Sequence, residues 1–173
     1  MDAVEIRVGS FEPGLMICRS RTSKARIEAR LTDLRAQAVI EAGGNYRALV
    51  ATMTLVGLRV GEATSLRWRD VDLAGGKLRV AEAKTDAGVR VVDVSPGLRE
   101  ELAVHRAGAS RTEPDDLVFC TKHGTAFNRN NIRCRAVAKA VQRANVKLAE
   151  AGYPPITGTI TNHSLRRTFA SLL

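Results

Sequence analysis

The sequence is poor in cross-linking residues, in long apolar runs and, over its last third, in acid. Its three cysteines, Cys18, Cys120 and Cys134, are odd in number and form no Cys-x-x-Cys pair, which excludes a disulfide framework and a zinc knuckle. They are read as small core residues. The longest uncharged, mostly apolar run, Ala48 to Leu58, is eleven residues, where a membrane helix needs about 20. No membrane span is expected. The first ten residues carry Asp2 and Glu5 and lack a basic start followed by an apolar stretch, so no secretory signal is read and a cytoplasmic protein is expected. From 117 to 173 a single acidic residue, Glu150, stands against nine basic ones.

What is present is positive charge on an ordinary globular background. With 45% apolar and 26% charged residues the chain is not compositionally disordered, and 173 residues make one domain. Lys and Arg number 27 and Asp and Glu 18, a net charge of +9 that points to polyanionic partners and says nothing of fold. Arg accounts for 21 of the 27, and its planar fork matches phosphate oxygens in pairs. A GC-rich genome would explain that ratio. It would not explain the clustering in the last third.

Periodicity predicts a mainly helical chain with one small sheet. Residues 1–30 carry little signal: a weak strand over Glu5 to Val8, a turn at Pro13-Gly14 and a charged stretch from Ser20 to Arg30. Leu31, Leu34, Ala38 and Val39 have helical spacing, stopped by Gly43-Gly44. A second helix is read from Asn45 as N-cap, with Tyr46, Leu49, Val50 and Met53 on one face, ending or bending at Gly57. Arg59 then lies at a corner before another helical turn, Gly61 to Leu66. Three β-branched, alternating segments follow, Trp68–Leu73, Leu78–Ala83 and Val89–Val94, an antiparallel meander. Ser95-Pro96 opens a helix to about Ala107, and Leu117–Cys120 is a short buried strand or extended piece. Asn128 opens a long helix with Ile132, Val137, Val141, Ala144 and Leu148 inward, closed by Gly152 and Pro154-Pro155. A last helix starts near Asn162.

Three local arrangements could bind an anion. In Val56-Gly57-Leu58-Arg59-Val60-Gly61-Glu62 an acid stands three residues after an arginine, close enough to orient its guanidinium. Lys84-Thr85 sits in the second hairpin turn, where an ammonium can swing freely. His163-Ser164-Leu165-Arg166 places an imidazole and a guanidinium on one face of a helix N-terminus. Two Arg, one Lys and one His converging on a point would hold a phosphodiester and offset the extra charge of a pentacoordinate transition state without a metal. Each also has a plain structural use: Arg59 as a capping surface residue, Lys84 as a solvated hairpin lysine, His163 as an N-cap, Arg166 as a partner for an acid. His105 and His123 are assigned to surface or loop positions. No metal-ligand cluster and no cofactor motif is read.

From about Leu31 to Leu173 the chain resembles the catalytic domain of the tyrosine recombinases, the phage-integrase family of DNA strand-exchange enzymes. The resemblance lies in the Gly-Leu-Arg-x-Gly-Glu corner, in Leu66-x-Trp68-x-Asp70-Val71-Asp72, in Lys84-Thr85 with Arg90 beyond it, and in His-x-Leu-Arg continued by Thr168-Phe169-Ala170. It implies an α+β, mainly α fold of the DNA breaking-rejoining type with a three-stranded antiparallel sheet. Residues 31–173 would be the catalytic domain and 1–30 a segment of unclear role. It further implies that Arg59 and Arg166 clamp the scissile phosphate and that His163 assists phosphate binding and proton transfer. Lys84 would protonate the leaving 5′ oxygen, and Glu62 would hold Arg59. Duplex DNA would be the partner, with other recombinase protomers besides, and neither a membrane nor a small-molecule substrate.

The chain departs from that pattern at its end. In the family the His-x-Leu-Arg helix is followed by further helices and the nucleophilic tyrosine, whereas here the only tyrosines are Tyr46 and Tyr153, both assigned to packing. Residues 1–30 are too short to supply the family's separate N-terminal DNA-clamping domain, so none is expected in this sequence. The expectation is that this polypeptide alone forms no covalent DNA intermediate, and that Leu165, Phe169 and Leu172 leave an exposed apolar patch. Arg135, Lys139, Arg143 and Lys147 recur every four residues, with Arg129 and Arg133 upstream. The stripe is either the wet side of the helix or a phosphate-contacting face, and the resemblance favours the latter. A non-catalytic DNA-binding module and a basic RNA-binding protein remain the alternatives.

Overall fold

The computed structural model describes residues 23–81, 89–158, 160, 161, 164 and 165, with side chains from residue 31 onward. Helix α1 (Ser23–Glu41) starts eight residues before the first predicted helical position, Leu31, and takes in much of the charged stretch. A single 3-10 turn, Gly44–Tyr46, then leads into α2 (Arg47–Leu55). Asn45 therefore lies inside that turn rather than capping α2, whose N-cap is Tyr46 with no side-chain bond. Every residue of α2 from Ala48 to Thr54 is buried. Thr52 and Thr54 are accommodated there because each hydroxyl donates to the carbonyl four residues back, Ala48 and Val50, at 2.8 Å.

Gly57 ends this run in the left-handed region at φ +66°, a conformation that costs a side-chain-bearing residue about 1 kcal/mol or more. The chain turns there, and after Leu58 and Arg59 the short helix α3 (Val60–Ser65) begins. A 3-10 turn, Trp68–Asp70, replaces the first half of the predicted strand, because Trp68 is drawn into the core and its indole N–H bonds the Arg111 carbonyl at 3.1 Å. What remains is β1 (Val71–Asp72), followed by β2 (Lys77–Val80) and β3 (Arg90–Asp93). The meander is antiparallel in the order β1-β2-β3, with Val71 opposite Leu78 and Leu78 opposite Val92.

Helix α4 (Pro96–Ala107) opens as predicted, with the Ser95 hydroxyl accepting from the Leu98 N–H and Pro96 at the first position. Leu117 and Cys120 form only isolated bridges, to Arg67 and Ala126. His105, predicted to be a surface or loop residue, instead donates from Nε2 to the Val118 carbonyl at 2.7 Å and lies between the rings of Trp68 and Phe119. The basic helix is continuous but changes geometry: α5 (Arg129–Asn131), a π-helical turn (Ile132–Val137), then α6 (Ala138–Glu150). Gly152 (φ +74°) follows the last turn.

One core joins these elements. Leu49, Met53, Leu58, Leu78, Leu98, Leu102, Ile132 and Val137 are fully buried in it, with α6 packed on α1 and α4 on α2. Leu165, expected in an exposed patch, is only 4% exposed and belongs to the core cluster; Phe169 and Leu172 lie outside the described residues. Two of the cysteines correct the sequence reading: Cys120 is half-buried and Cys134 is exposed beside Asn130, while Cys18 is outside the described residues. Of the tyrosines, Tyr46 packs edge-on against Phe127, but Tyr153 is 42% exposed and is not a packing residue. Among the described residues no helix is long and apolar enough to cross a membrane.

Candidate nucleic-acid interface

The site begins at the corner that Gly57 creates. Arg59 is the N-cap of α3, with extended backbone (φ −67°, ψ 150°), so its N–H points at the first turn and meets the Glu62 side chain. The Arg59 N–H donates to Glu62 Oε2 at 2.8 Å, and the guanidinium donates from NH1 to Oε1 at 2.9 Å. The acid three residues on thus holds the arginine by both its backbone and its tip. The two side chains are unequally placed: Glu62 is 4% exposed and Arg59 is 65% exposed.

A residue far away in sequence completes the arrangement. Arg90, on β3, donates from NH2 to Glu62 Oε2 at 3.0 Å and from NH1 to Oε1 at 3.3 Å. A buried carboxylate is costly unless charged and hydrogen-bonded partners surround it. Burial pushes the Glu62 carboxyl up, but hydrogen bonds from Arg90 and from the Arg59 backbone and guanidinium outweigh it and lower its pKa from 4.5 to about 2. Glu62 is therefore a fixed anion at neutral pH, and the corner carries one negative and two positive charges.

The other half of the surface comes from the basic helix. Asn128 caps it, its Oδ1 accepting from the Asn130 N–H at 2.9 Å. All six basic residues, Arg129, Arg133, Arg135, Lys139, Arg143 and Lys147, are exposed. They do not lie against one neighbour. The Arg129 guanidinium crosses Gly61, where a Cβ would stand 3.0 Å from its NH2, which puts Arg129 beside the Arg59 corner. Arg143 instead reaches the Ala42 carbonyl at the end of α1, at 3.4 Å. No described carboxylate forms an ion pair with any of the six.

At the far end, the Ser164 N–H donates to Thr161 Oγ1 at 3.2 Å and the Thr161 N–H donates to Ser164 Oγ at 3.1 Å. This reciprocal cap is the start of the last helix, and Leu165 anchors it in the core. Lys84, His163 and Arg166 lie outside the described residues. Arg59 and Glu62 are thus the predicted catalytic-site residues that the structure brings together, with Arg129 of the predicted DNA-binding set beside them. Arg90 was the residue that sequence reasoning missed as a partner of Glu62. It is 28 residues away, so no helical or strand spacing links the pair. Gly61 was the only trace of the Arg129 contact, since a glycine inside a helix has a cost that some close approach must justify. No group of metal-binding side chains occurs among the described residues.

Residues 25–173 match the Phage integrase family. A tyrosine recombinase XerC from Pelobacter propionicus is 34% identical over 130 residues, which is 72% of this chain and 37% of that protein. A probable integrase/recombinase protein from Methanocaldococcus jannaschii is 26% identical over 144 residues, 81% of this chain and 42% of that protein. Among solved structures, the XerA recombinase superposes with a TM-score of 0.63 at 25% identity, over 79% of this chain and 47% of that one. The XerH site-specific recombinase in its post-cleavage complex with a palindromic difH substrate superposes with a TM-score of 0.57 over 83% of this chain and 40% of that one; at 21% identity it speaks for the fold alone. The chain spans less than half the length of each of these proteins. With the family match covering residues 25–173 and a tyrosine recombinase XerC 34% identical over 130 residues, this chain belongs to the phage integrase family of tyrosine recombinases.

Proposed function

We propose that this chain is the phosphate-binding portion of a DNA strand-exchange enzyme, with residues 31–173 as its catalytic unit. The observation that carries the reading is Arg59, held from behind by a buried carboxylate and turned outward beside a helix whose basic side chains have no described acidic partner. In this reading the duplex lies along the basic helix, where Arg129, Arg133, Arg135, Lys139, Arg143 and Lys147 meet backbone phosphates. Arg59 and Arg166 grip the non-bridging oxygens of the scissile phosphate, and His163 supports them. A tyrosine oxygen forms the new O–P bond as His163 takes the hydroxyl proton, the P–O5′ bond breaks, and Lys84 supplies the proton to the departing 5′ oxygen. The attacking tyrosine is not assigned to Tyr46 or Tyr153: the first packs on Phe127, and the second lies in the loop after α6.

Binding of a fluorescent duplex measured by anisotropy over a salt series tests this directly. Each phosphate contact contributes about −0.9 to the slope of log K against log salt. Replacing Arg135, Lys139 and Arg143 by Ala is expected to flatten that slope by about two to three units. An unchanged slope refutes the contact. In competition, unlabelled duplex DNA is expected to displace the probe more effectively than RNA of equal length; the reverse order favours an RNA-binding protein.

A further inference from the structure

We infer that Arg90 is a positioning residue for Arg59: by occupying the fork of the Glu62 carboxylate, it leaves the Arg59 guanidinium free to face a backbone phosphate. This rests on reading Arg59 as a phosphate ligand. An arginine and a carboxylate alone prefer a two-pronged pair in which each cancels the other's field. At this corner the two-pronged partner is Arg90, whose NH1 and NH2 reach both carboxylate oxygens at 3.3 and 3.0 Å. Arg59 contributes a single guanidinium nitrogen, at 2.9 Å, and otherwise holds on through its backbone N–H. No described residue bonds its NH2 or Nε, and its side chain is the most exposed of the three, at 65% against 30% for Arg90 and 4% for Glu62.

The charge count leads to the same place. Glu62 with Arg59 alone would be neutral, a poor receptor for an anion. With Arg90 the three side chains carry two positive charges against one negative, and Arg59 is the one that solvent reaches most. Arg90 is placed to do this by the sheet: it pairs with Val80 at the start of β3, so its position is set by backbone register rather than by its own side chain. Its role toward phosphate is indirect, through Glu62. Loss of Arg90 would let Arg59 rotate into the vacated fork and turn away from the DNA.

The test is a double-mutant cycle on the full 173-residue chain, with the salt slope of duplex binding and thermal unfolding measured for each variant. Arg59→Ala is expected to reduce the slope by about one. Arg90→Gln is expected to reduce it by the same amount, and Arg59→Ala/Arg90→Gln by no more than either alone, because both variants remove one phosphate contact. Arg90→Lys keeps a cation on Glu62 but fills only one prong of the fork, and is expected to lose less of the slope than Arg90→Gln, even where Arg90→Gln folds poorly. Additive losses in the double variant, an unchanged slope in Arg90→Gln, or equal loss in Arg90→Lys and Arg90→Gln each overturn the inference. If Arg59→Ala itself leaves the slope unchanged, the phosphate reading of Arg59 fails and this inference fails with it. If only the Arg90 variants miss expectation, the phosphate reading stands.

Discussion

Glu62 shows how one side chain can be read correctly from spacing and still be incompletely understood. Its position three residues after Arg59 at a helix start indicated a contact, and the contact is there, through backbone and guanidinium. What spacing could not show is that the carboxylate is buried, and burial demands a second cation. The consequence is a pH dependence with a definite sign. The folded pKa is lowered to about 2, so the network contributes fully above the ordinary carboxylate pKa of 4.5 and is lost as pH falls through about 2. Glu62→Gln is expected to lower stability near neutral pH by about 1.5–3 kcal/mol, the range for hydrogen bonds to charged groups. That deficit should narrow steadily between pH 5 and pH 2, as followed by thermal unfolding. A deficit constant across that range means the carboxylate is not held as an anion by its arginines.

At the scale of elements, agreement follows the strength of the local signal. Ser95-Pro96 and Asn128 carry their caps in their own side chains, and both helices start where those residues say. Gly57 needs φ > 0 and takes it. Local pattern failed where tertiary contacts decide. Trp68 alternates like a strand residue, but its ring is more stable buried against His105, and the strand shortens to Val71–Asp72. Asn45 is a good N-cap type, yet the chain tightens into a 3-10 turn there. The π-helical turn Ile132–Val137 has no sequence signature, and it brings Ile132, Ala136 and Val137 into the core just after the helix has delivered Arg129 to the corner. Removing the cap that starts this helix, with Asn128→Ala, is expected to cost about 1 kcal/mol in urea unfolding. No measurable loss would mean the helix start is held by packing alone.

Across the whole molecule, the fold brings separated cations toward one surface. Arg59 arrives from a glycine corner, Arg90 from a strand register and Arg129 from a capped helix, and all three meet at α3. The architecture was legible because helical and strand periods are local. The convergence at Glu62 was legible only in part, because strand-to-helix contacts leave no local trace. In the proposed reading Arg59, Lys84, His163 and Arg166 act on a single backbone phosphate, and a crystal structure of the chain bound to duplex DNA tests this most directly. The expected result is one phosphate with the Arg59 and Arg166 guanidinia, Lys84 Nζ and the His163 imidazole all within about 3 Å of its oxygens. Four tips on different phosphates, or on faces that the DNA does not touch, would contradict it.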